Sequence, residues 1–260
     1  MLLQDPPVSP YDWQFQLLGF RVRVTWGFWL VAALLGWEWS RGLDRVAQVY
    51  DLSSPGAPVL LAGWIAAVFV SVLIHEFGHA LAMRACGMEP RIVLYHFGGL
   101  AISDFGSWRA ARQRRVGPWE QVGISAAGPA LQLAFGGLVI AGAMVAQVPV
   151  ELMGWVVSPG EISDTIVPYA VVDALVFPSV FWALLNLLPV LPLDGGQICE
   201  NLLHALRVPA AYQYAQIVSL VTAAAIGLWF LRGGNMFAGF MFLMMAAGSW
   251  QALQGGYPRY

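Results

Sequence analysis

Apolar residues occur in long runs along this chain, and most polar residues are confined to the stretches between those runs. A helix needs about 20 mostly apolar residues to cross a bilayer. The pattern predicts an all-α polytopic integral membrane protein, because helices satisfy their own backbone hydrogen bonds inside lipid. Six runs come near the required length, at about 24–39, 57–83, 121–147, 173–192, 210–231 and 235–253.

The stretch RIVLYHFGGLAISDF, at 91–105, interrupts the helical pattern between the second and third predicted spans. It is rich in β-branched and aromatic residues on both sides of Gly98 and Gly99. That composition predicts a short β-hairpin, with the glycines at a turn or at a close approach of the backbone. Its apolar character indicates that the hairpin lies against the membrane.

The composition agrees with a lipid environment. Hydrophobic residues make up 58% of the chain and charged residues 11%, with a mean hydropathy of +0.65. Soluble domains carry about 25% charged residues, so the balance excludes an ordinary cytosolic protein. The net charge of −2 gives no support for nucleic-acid binding. The partner expected from composition is the lipid bilayer.

The placement of arginine predicts the orientation, because basic loops stay on the cytoplasmic side. With six spans, both termini are predicted to be cytoplasmic, and the cluster RAARQRR at 109–115 acts as a topology determinant. The arginines predicted on the opposite side are Arg41, Arg45 and Arg232, and those predicted on the cytoplasmic side are Arg21, Arg23, Arg84, Arg91, Arg109, Arg112, Arg114, Arg115, Arg207 and Arg259.

The second predicted span contains the sequence HEFGH at 75–79, and these are its only ionisable residues between Ala57 and Met83. Ionisable groups at membrane depth are costly, so the default interpretation is a functional site. Positions i and i+4 share one face of a helix, so His75 and His79 can reach one metal ion. Zinc suits two imidazoles, and Glu76 would then be the general base. The alternative is a polar cluster that only holds helices together.

A third ligand is predicted where the fourth span ends in NLLPVLPLDGG, at 186–196. The two prolines of that stretch interrupt the helix, because proline lacks an N–H and clashes with the preceding turn. If both spans start outside, His75 is about 27 Å into the second span and Asp194 about 31 Å into the fourth. Both fall in the cytoplasmic third, so Asp194 is the predicted third ligand.

With HEFGH, a Gly-Pro pair at 128–129 in the next span and NLLPVLPLDG after it, the chain resembles the site-2 protease family of intramembrane zinc metalloproteases. The resemblance covers about 57–200, which would be a three-helix catalytic core. The chain looks like a minimal member, a single protease domain over 1–260 without a PDZ-like or nucleotide-sensing domain. Its accessory spans would be 24–39, 210–231 and 235–253.

The resemblance implies a zinc endopeptidase with one Zn²⁺ per chain. It implies that His75, His79 and Asp194 bind zinc and that Glu76 is catalytic. The expected reaction is regulated intramembrane proteolysis, in which a peptide bond is hydrolysed in or near the transmembrane segment of a protein substrate. The expected partner is a single-span membrane protein that another protease has already cleaved.

Further residues are assigned by the same resemblance. Asn186 matches an asparagine associated with holding substrate, and Gly98 and Gly99 lie in a hairpin like the family's membrane-associated β element, which is thought to pair with an extended substrate. Gln132 stands where the family often has asparagine.

Two rival functions are weighed with this one. A different membrane protease with the H-E-x-x-H pattern would use a distal glutamate as its third ligand. The other rival is a non-enzymatic protein. A protease-like scaffold would need no catalytic base, so the intact Glu76 argues against it. A metal carrier would need a chain of polar stations across the bilayer, and the single three-ligand site argues against that. The expected location is a prokaryotic plasma membrane.

Overall fold

The computed structural model describes residues 6–96, 98–103, 116–152 and 154–255. The arginine cluster at 109–115 and the end of the predicted hairpin at 104–105 lie outside these described residues. Within them, five helices are long and apolar enough to cross a membrane: Ala57–Ala85, Pro118–Val145, Val167–Asn186, Ala211–Arg232 and Met236–Gln254. The first predicted span, 24–39, falls largely on a 24-residue helix that is not among the five. Six crossings therefore stay a prediction, whereas the mostly helical membrane fold is confirmed.

The helices account for most of the described chain. They are α1 Trp26–Val49, α2 Ala57–Ala85, α3 Pro118–Val145, α4 Val167–Phe177, α5 Ala183–Asn186, α6 Asp194–Ala205, α7 Ala211–Arg232 and α8 Met236–Gln254. A π-helical turn, Pro178–Trp182, joins α4 to α5. The strands are β1 Trp13–Leu17, β2 Phe20–Val24, β3 Pro90–Tyr95, β4 Gly98–Ser103, β5 Val150–Leu152 and β6 Trp155–Ser158.

The predicted hairpin is present as β3 and β4, but it belongs to a larger sheet. The strand order is β1-β2-β3-β4, with β2 parallel to β3 and the other two pairs antiparallel. Strands β1 and β2 precede 24–39, the first element expected from the sequence, and were not predicted. The glycines open β4, where Gly98 has φ +125° and pairs with Tyr95. A second small hairpin, β5 with β6, was also missed.

One compact unit comprises the described parts of 3–113 and 130–183. Its largest hydrophobic core joins the buried faces of α1, α2, β2 and β3, because the alternating strand FRVRV turns its apolar side chains inward. Trp64 of α2 needs Gly36 on α1, since a methyl group at position 36 would overlap the indole.

A second compact unit comprises the described parts of 114–129 and 184–260, where α7 packs along α8. The helix that ends in this unit stops at Asn186, and α6 begins at Asp194. The predicted break at the two prolines is therefore confirmed. The bounds 173–192 were wrong, because the span begins at Val167 and ends at Asn186. Proline restricts the residue before it, so a helix ends ahead of Pro189 rather than running into it.

Candidate metal centre

Helix α2 carries the His-Glu-His group in its C-terminal half. His75, Glu76 and His79 keep 6%, 3% and 9% of their surface exposed. The helix continues from Ala57 to Ala85 without a break, so the i, i+4 spacing places both imidazoles on one face. Ser71, fully buried, lies one turn earlier on the same face.

The two imidazoles meet through their ε nitrogens. Nε2 of His75 and Nε2 of His79 are 3.0 Å apart. Two nitrogens bound to one tetrahedral zinc at 2.0–2.1 Å would lie about 3.3 Å apart. The pair is therefore close to the spacing that a shared ion requires, and both ring nitrogens are of the kind that zinc prefers.

Asp194 is the first residue of α6 and is 9% exposed. Ligand atoms of His75, His79 and Asp194 all lie within 4.8 Å of one another, and this is the group of metal-binding side chains found among the described residues. Two imidazole nitrogens and one carboxylate oxygen form the donor set of a catalytic zinc site that keeps a position open. The residues therefore fit a zinc ion.

The turn before α6 is tight enough to require its glycines. A methyl group at Gly195 would overlap the carbonyl of Leu187, and one at Gly196 would lie 2.5 Å from the backbone nitrogen of Leu191. No side chain fits in such space, so the Asp-Gly-Gly sequence lets the backbone fold back immediately after Asp194.

Glu76 lies between the metal-binding face and the sheet. Its Oε1 is 4.0 Å from Nε2 of His75. Strand β4 packs on the other side of the glutamate at Gly99, where a methyl group would overlap the Glu76 side chain, whereas Gly98 faces open space. Burial, and then the charge of Glu76, raise the pKa of Tyr95 on β3 to about 12. The predicted close backbone approach is thus at Gly99.

Asn186, the predicted substrate-holding residue, lies at the end of a helix, and His96 lies just after a strand. Asn186 is the last residue of α5 and is half-buried. His96 is exposed in the turn between β3 and β4, beside Gly27. The placement of Asn186 does not test its predicted role in holding substrate.

A polar network behind the histidines was not predicted from the sequence. Gln132 of α3, 2% exposed, has its Oε1 2.8 Å from Nδ1 of His75. Its Nε2 donates to Ser71 Oγ at 3.0 Å and to the carbonyl of Pro178 at 3.1 Å. Ser179 Oγ donates to Ser71 Oγ at 3.0 Å. The available signal was Ser71 at one helical turn from His75 and Gln132 as the polar residue of an apolar stretch.

Comparison with known proteins gives the family. The sequence profile described as Peptidase family M50 matches residues 63–229. A protein of Synechocystis sp. named "Putative zinc metalloprotease sll0528" is 33% identical over 72% of this chain and 42% of its own length. A Mycobacterium tuberculosis protein named "Putative zinc metalloprotease Rip3" is 29% identical over 84% of this chain and 52% of its own length. The chain thus spans about half the length of these relatives or less.

A solved structure shares the fold. The Site-2 Protease from Methanocaldococcus jannaschii superposes with a TM-score of 0.53 at 19% identity, covering 96% of this chain and 99% of that one. The family profile covers most of α2, including its two histidines, both prolines of the helix break and Asp194. The chain belongs to peptidase family M50, the site-2 protease family, and is an integral membrane protein.

Proposed function

We propose that this protein is an intramembrane zinc endopeptidase that hydrolyses a peptide bond in or near the transmembrane segment of a protein substrate. The observation that carries the proposal is the buried group of His75, Glu76, His79 and Asp194. The two histidines and Asp194 match a zinc donor set. The side chain of Glu76 is a carboxylate positioned to exchange a proton. Membership of a peptidase family supports the same chemistry.

In this proposal His75, His79 and Asp194 hold one zinc ion. A bound zinc polarises a substrate carbonyl and brings the pKa of a bound water near 7. Glu76 accepts a proton from the attacking water and later delivers it to the leaving amine. The position of the glutamate supports this role, because its buried carboxylate lies 4.0 Å from Nε2 of His75, one of the proposed zinc ligands.

The surroundings of Glu76 support a proposal for the substrate class. A transmembrane helix hides its carbonyls in i to i+4 hydrogen bonds, so the bond to be cut must first be unwound. Among the described strands, β4 lies at one edge of the sheet, and its Gly99 contacts Glu76. We infer that an unwound, single-span substrate, already trimmed by another protease, adds a strand to this edge. Gly98, Gly99 and Asn186 are its proposed binding residues.

The location and orientation are also proposals. Related proteins from bacteria support a prokaryotic plasma membrane. The arginine distribution supports cytoplasmic termini, because Arg84 lies in the last turn of α2, whose first turn has no basic residue, and Arg207 follows α6.

The test is zinc content and cleavage of a model single-span substrate in detergent, for the wild type and Glu76→Gln. Loss of a general base lowers the rate by about 10²–10⁴, so we expect that loss with zinc retained. Equal cleavage by both proteins would contradict the proposal. Zinc bound by both proteins without cleavage of any substrate would favour the scaffold. Zinc retained by Asp194→Ala would favour the protease class with a distal glutamate.

A further inference from the structure

We propose that Gln132 is a positioning residue that fixes the tautomer and ring orientation of His75, so that Nε2 presents its lone pair to the metal. This inference rests on the proposed zinc site and assigns a role to a residue outside the ligand set. Its starting point is the hydrogen bond of 2.8 Å between Gln132 Oε1 and His75 Nδ1. Both side chains are buried, so water does not compete freely for either group.

The orientation of the Gln132 amide is set by a partner that can only accept. The carbonyl of Pro178, 3.1 Å away, has no hydrogen to give, so the amide atom facing it must be the NH₂ group. The second NH₂ hydrogen goes to Ser71 Oγ at 3.0 Å. A flipped amide would place two oxygens against each other at Pro178.

The tautomer of His75 follows from that orientation. With its NH₂ committed, Gln132 presents Oε1 to His75, and Oε1 is an acceptor only. Nδ1 of His75 must therefore carry the hydrogen, which leaves Nε2 with a lone pair on the side of His79. Metal-binding histidines commonly donate their other N–H to such a partner, which raises their basicity and holds the ring.

Close packing of α3 on the π-helical turn supports the network. Gly136 lies one turn after Gln132, and a methyl group there would sit 2.8 Å from Val180 Cγ2. The neighbouring Gly137 faces open space. Gly136 therefore lets the helix approach closely enough for Gln132 to reach the Pro178 carbonyl, and Gly137 provides a matched control.

The first measurement is the tautomer itself in metal-free protein. The chain has four histidines, so histidine-selective ¹⁵N labelling gives a simple NMR spectrum in detergent. We expect His75 of the wild type to show a protonated Nδ1, and Gln132→Met to give a mixture of tautomers. Gln132→Met keeps the length of the side chain but removes the acceptor. This readout does not depend on zinc or on proteolysis.

The second measurement is zinc affinity by competition with a chelator. Loss of such a partner weakens metal binding by about 10- to 100-fold, which we expect for Gln132→Met. Gln132→Glu keeps the acceptor for His75 but sets an oxygen against the Pro178 carbonyl, so its zinc affinity should fall between those of Gln132→Met and the wild type. Gly136→Ala should weaken binding and Gly137→Ala should not.

The outcomes separate this inference from the proposed function. A wild type that binds no zinc would overturn the zinc site, while the tautomer would still report on Gln132. A wild type that binds zinc, with an unchanged His75 tautomer and affinity in Gln132→Met, would overturn the inference alone. If Gln132→Met fails to fold, equal affinities for Gly136→Ala and Gly137→Ala overturn it instead.

Discussion

Two buried polar clusters lie among the apolar helices, and they differ in where their hydrogen bonds end. The histidine cluster comprises Ser71, His75, His79, Gln132 and Ser179. The serine cluster comprises Ser219 of α7 and Ser249 of α8, whose hydroxyls are 2.7 Å apart, with the backbone N–H of Leu191 donating to Ser219 at 2.8 Å.

The serine cluster provides a hydrogen-bond acceptor for the backbone. The stretch between α5 and α6 is not helical, and Leu191 within it has an N–H that would be costly if left unpaired in an apolar interior. The Ser219 hydroxyl accepts the hydrogen bond from this N–H without adding a charge. The histidine cluster instead ends at two imidazole nitrogens that face each other, and only a proton or a cation can lie favourably between two lone pairs. Ionisable end groups distinguish a candidate site from structural polarity.

Removal of a proposed zinc ligand should have the largest effect, and it should distinguish the histidine cluster from the serine cluster. His79→Ala takes away one of three donors, so we expect zinc to be lost from the purified protein. Ser219→Ala, in the other cluster, should retain it. Metal content by atomic emission checks both variants side by side. Full zinc occupancy in His79→Ala would show that the ion binds elsewhere.

A methyl group placed against Glu76, the proposed general base, should have the next largest effect. Gly99→Ala would overlap Glu76 and push its carboxylate away from His75, so we expect cleavage to fall by about 10²-fold, the usual cost of a misplaced catalytic group. Zinc content should not change. Gly123→Ala, where a methyl group meets nothing within 4 Å, is the control. Normal cleavage by Gly99→Ala would remove the sheet from the proposed mechanism.

The serine cluster should affect stability. Ser219→Ala leaves the Leu191 N–H without its acceptor and should lower the free energy of unfolding by about 1–3 kcal/mol. Ser249→Ala removes only a hydroxyl–hydroxyl hydrogen bond and should cost about 0.5–1.5 kcal/mol. Thermal unfolding in detergent shows which of the two variants loses more stability. A larger loss for Ser249→Ala would contradict the assignment of Ser219 as the partner of the backbone.

The smallest effect should come from Glu200 on α6, outside the spans. Burial raises the pKa of its carboxyl above the ordinary 4.5, and the neighbouring His204 partly opposes the shift. The folded state then binds the proton more tightly than the unfolded state, so stability falls as pH rises above 4.5 through the folded pKa. Glu200→Gln should therefore match the wild type near pH 4 and melt slightly higher at pH 8. An identical difference at both pH values would exclude this titration.

The parts of the site that were predictable are those encoded locally. HEFGH on a helix fixes the relative positions of two imidazoles, and prolines at 189 and 192 force a break before Asp194. Each depends on a repeat or a steric rule that acts within a few residues.

The parts that were missed depend on distant partners. Strand β2 pairs in parallel with β3, joining Val22 to Ile92, and no local pattern specifies such a register. The Gln132 network likewise joins three helical segments, and a single glutamine in an apolar run does not reveal its partner. The fourth span was placed too late because its π-helical turn and its start at Val167 leave no periodic mark in an almost uniformly apolar stretch.

That π-helical turn also changes the directions in which the following side chains point. Its hydrogen bonds span one residue more than those of an α-helix, and one residue corresponds to about 100° of rotation around the axis. Residues after Trp182 therefore point in directions shifted from those that an uninterrupted α-helix would give them. One helix can pack Ala170 and Ala174 inward over its first turns and still turn a different set of side chains inward further on. A single extra residue in the turn thus rotates the buried face of the helix by a fixed angle without ending the helix.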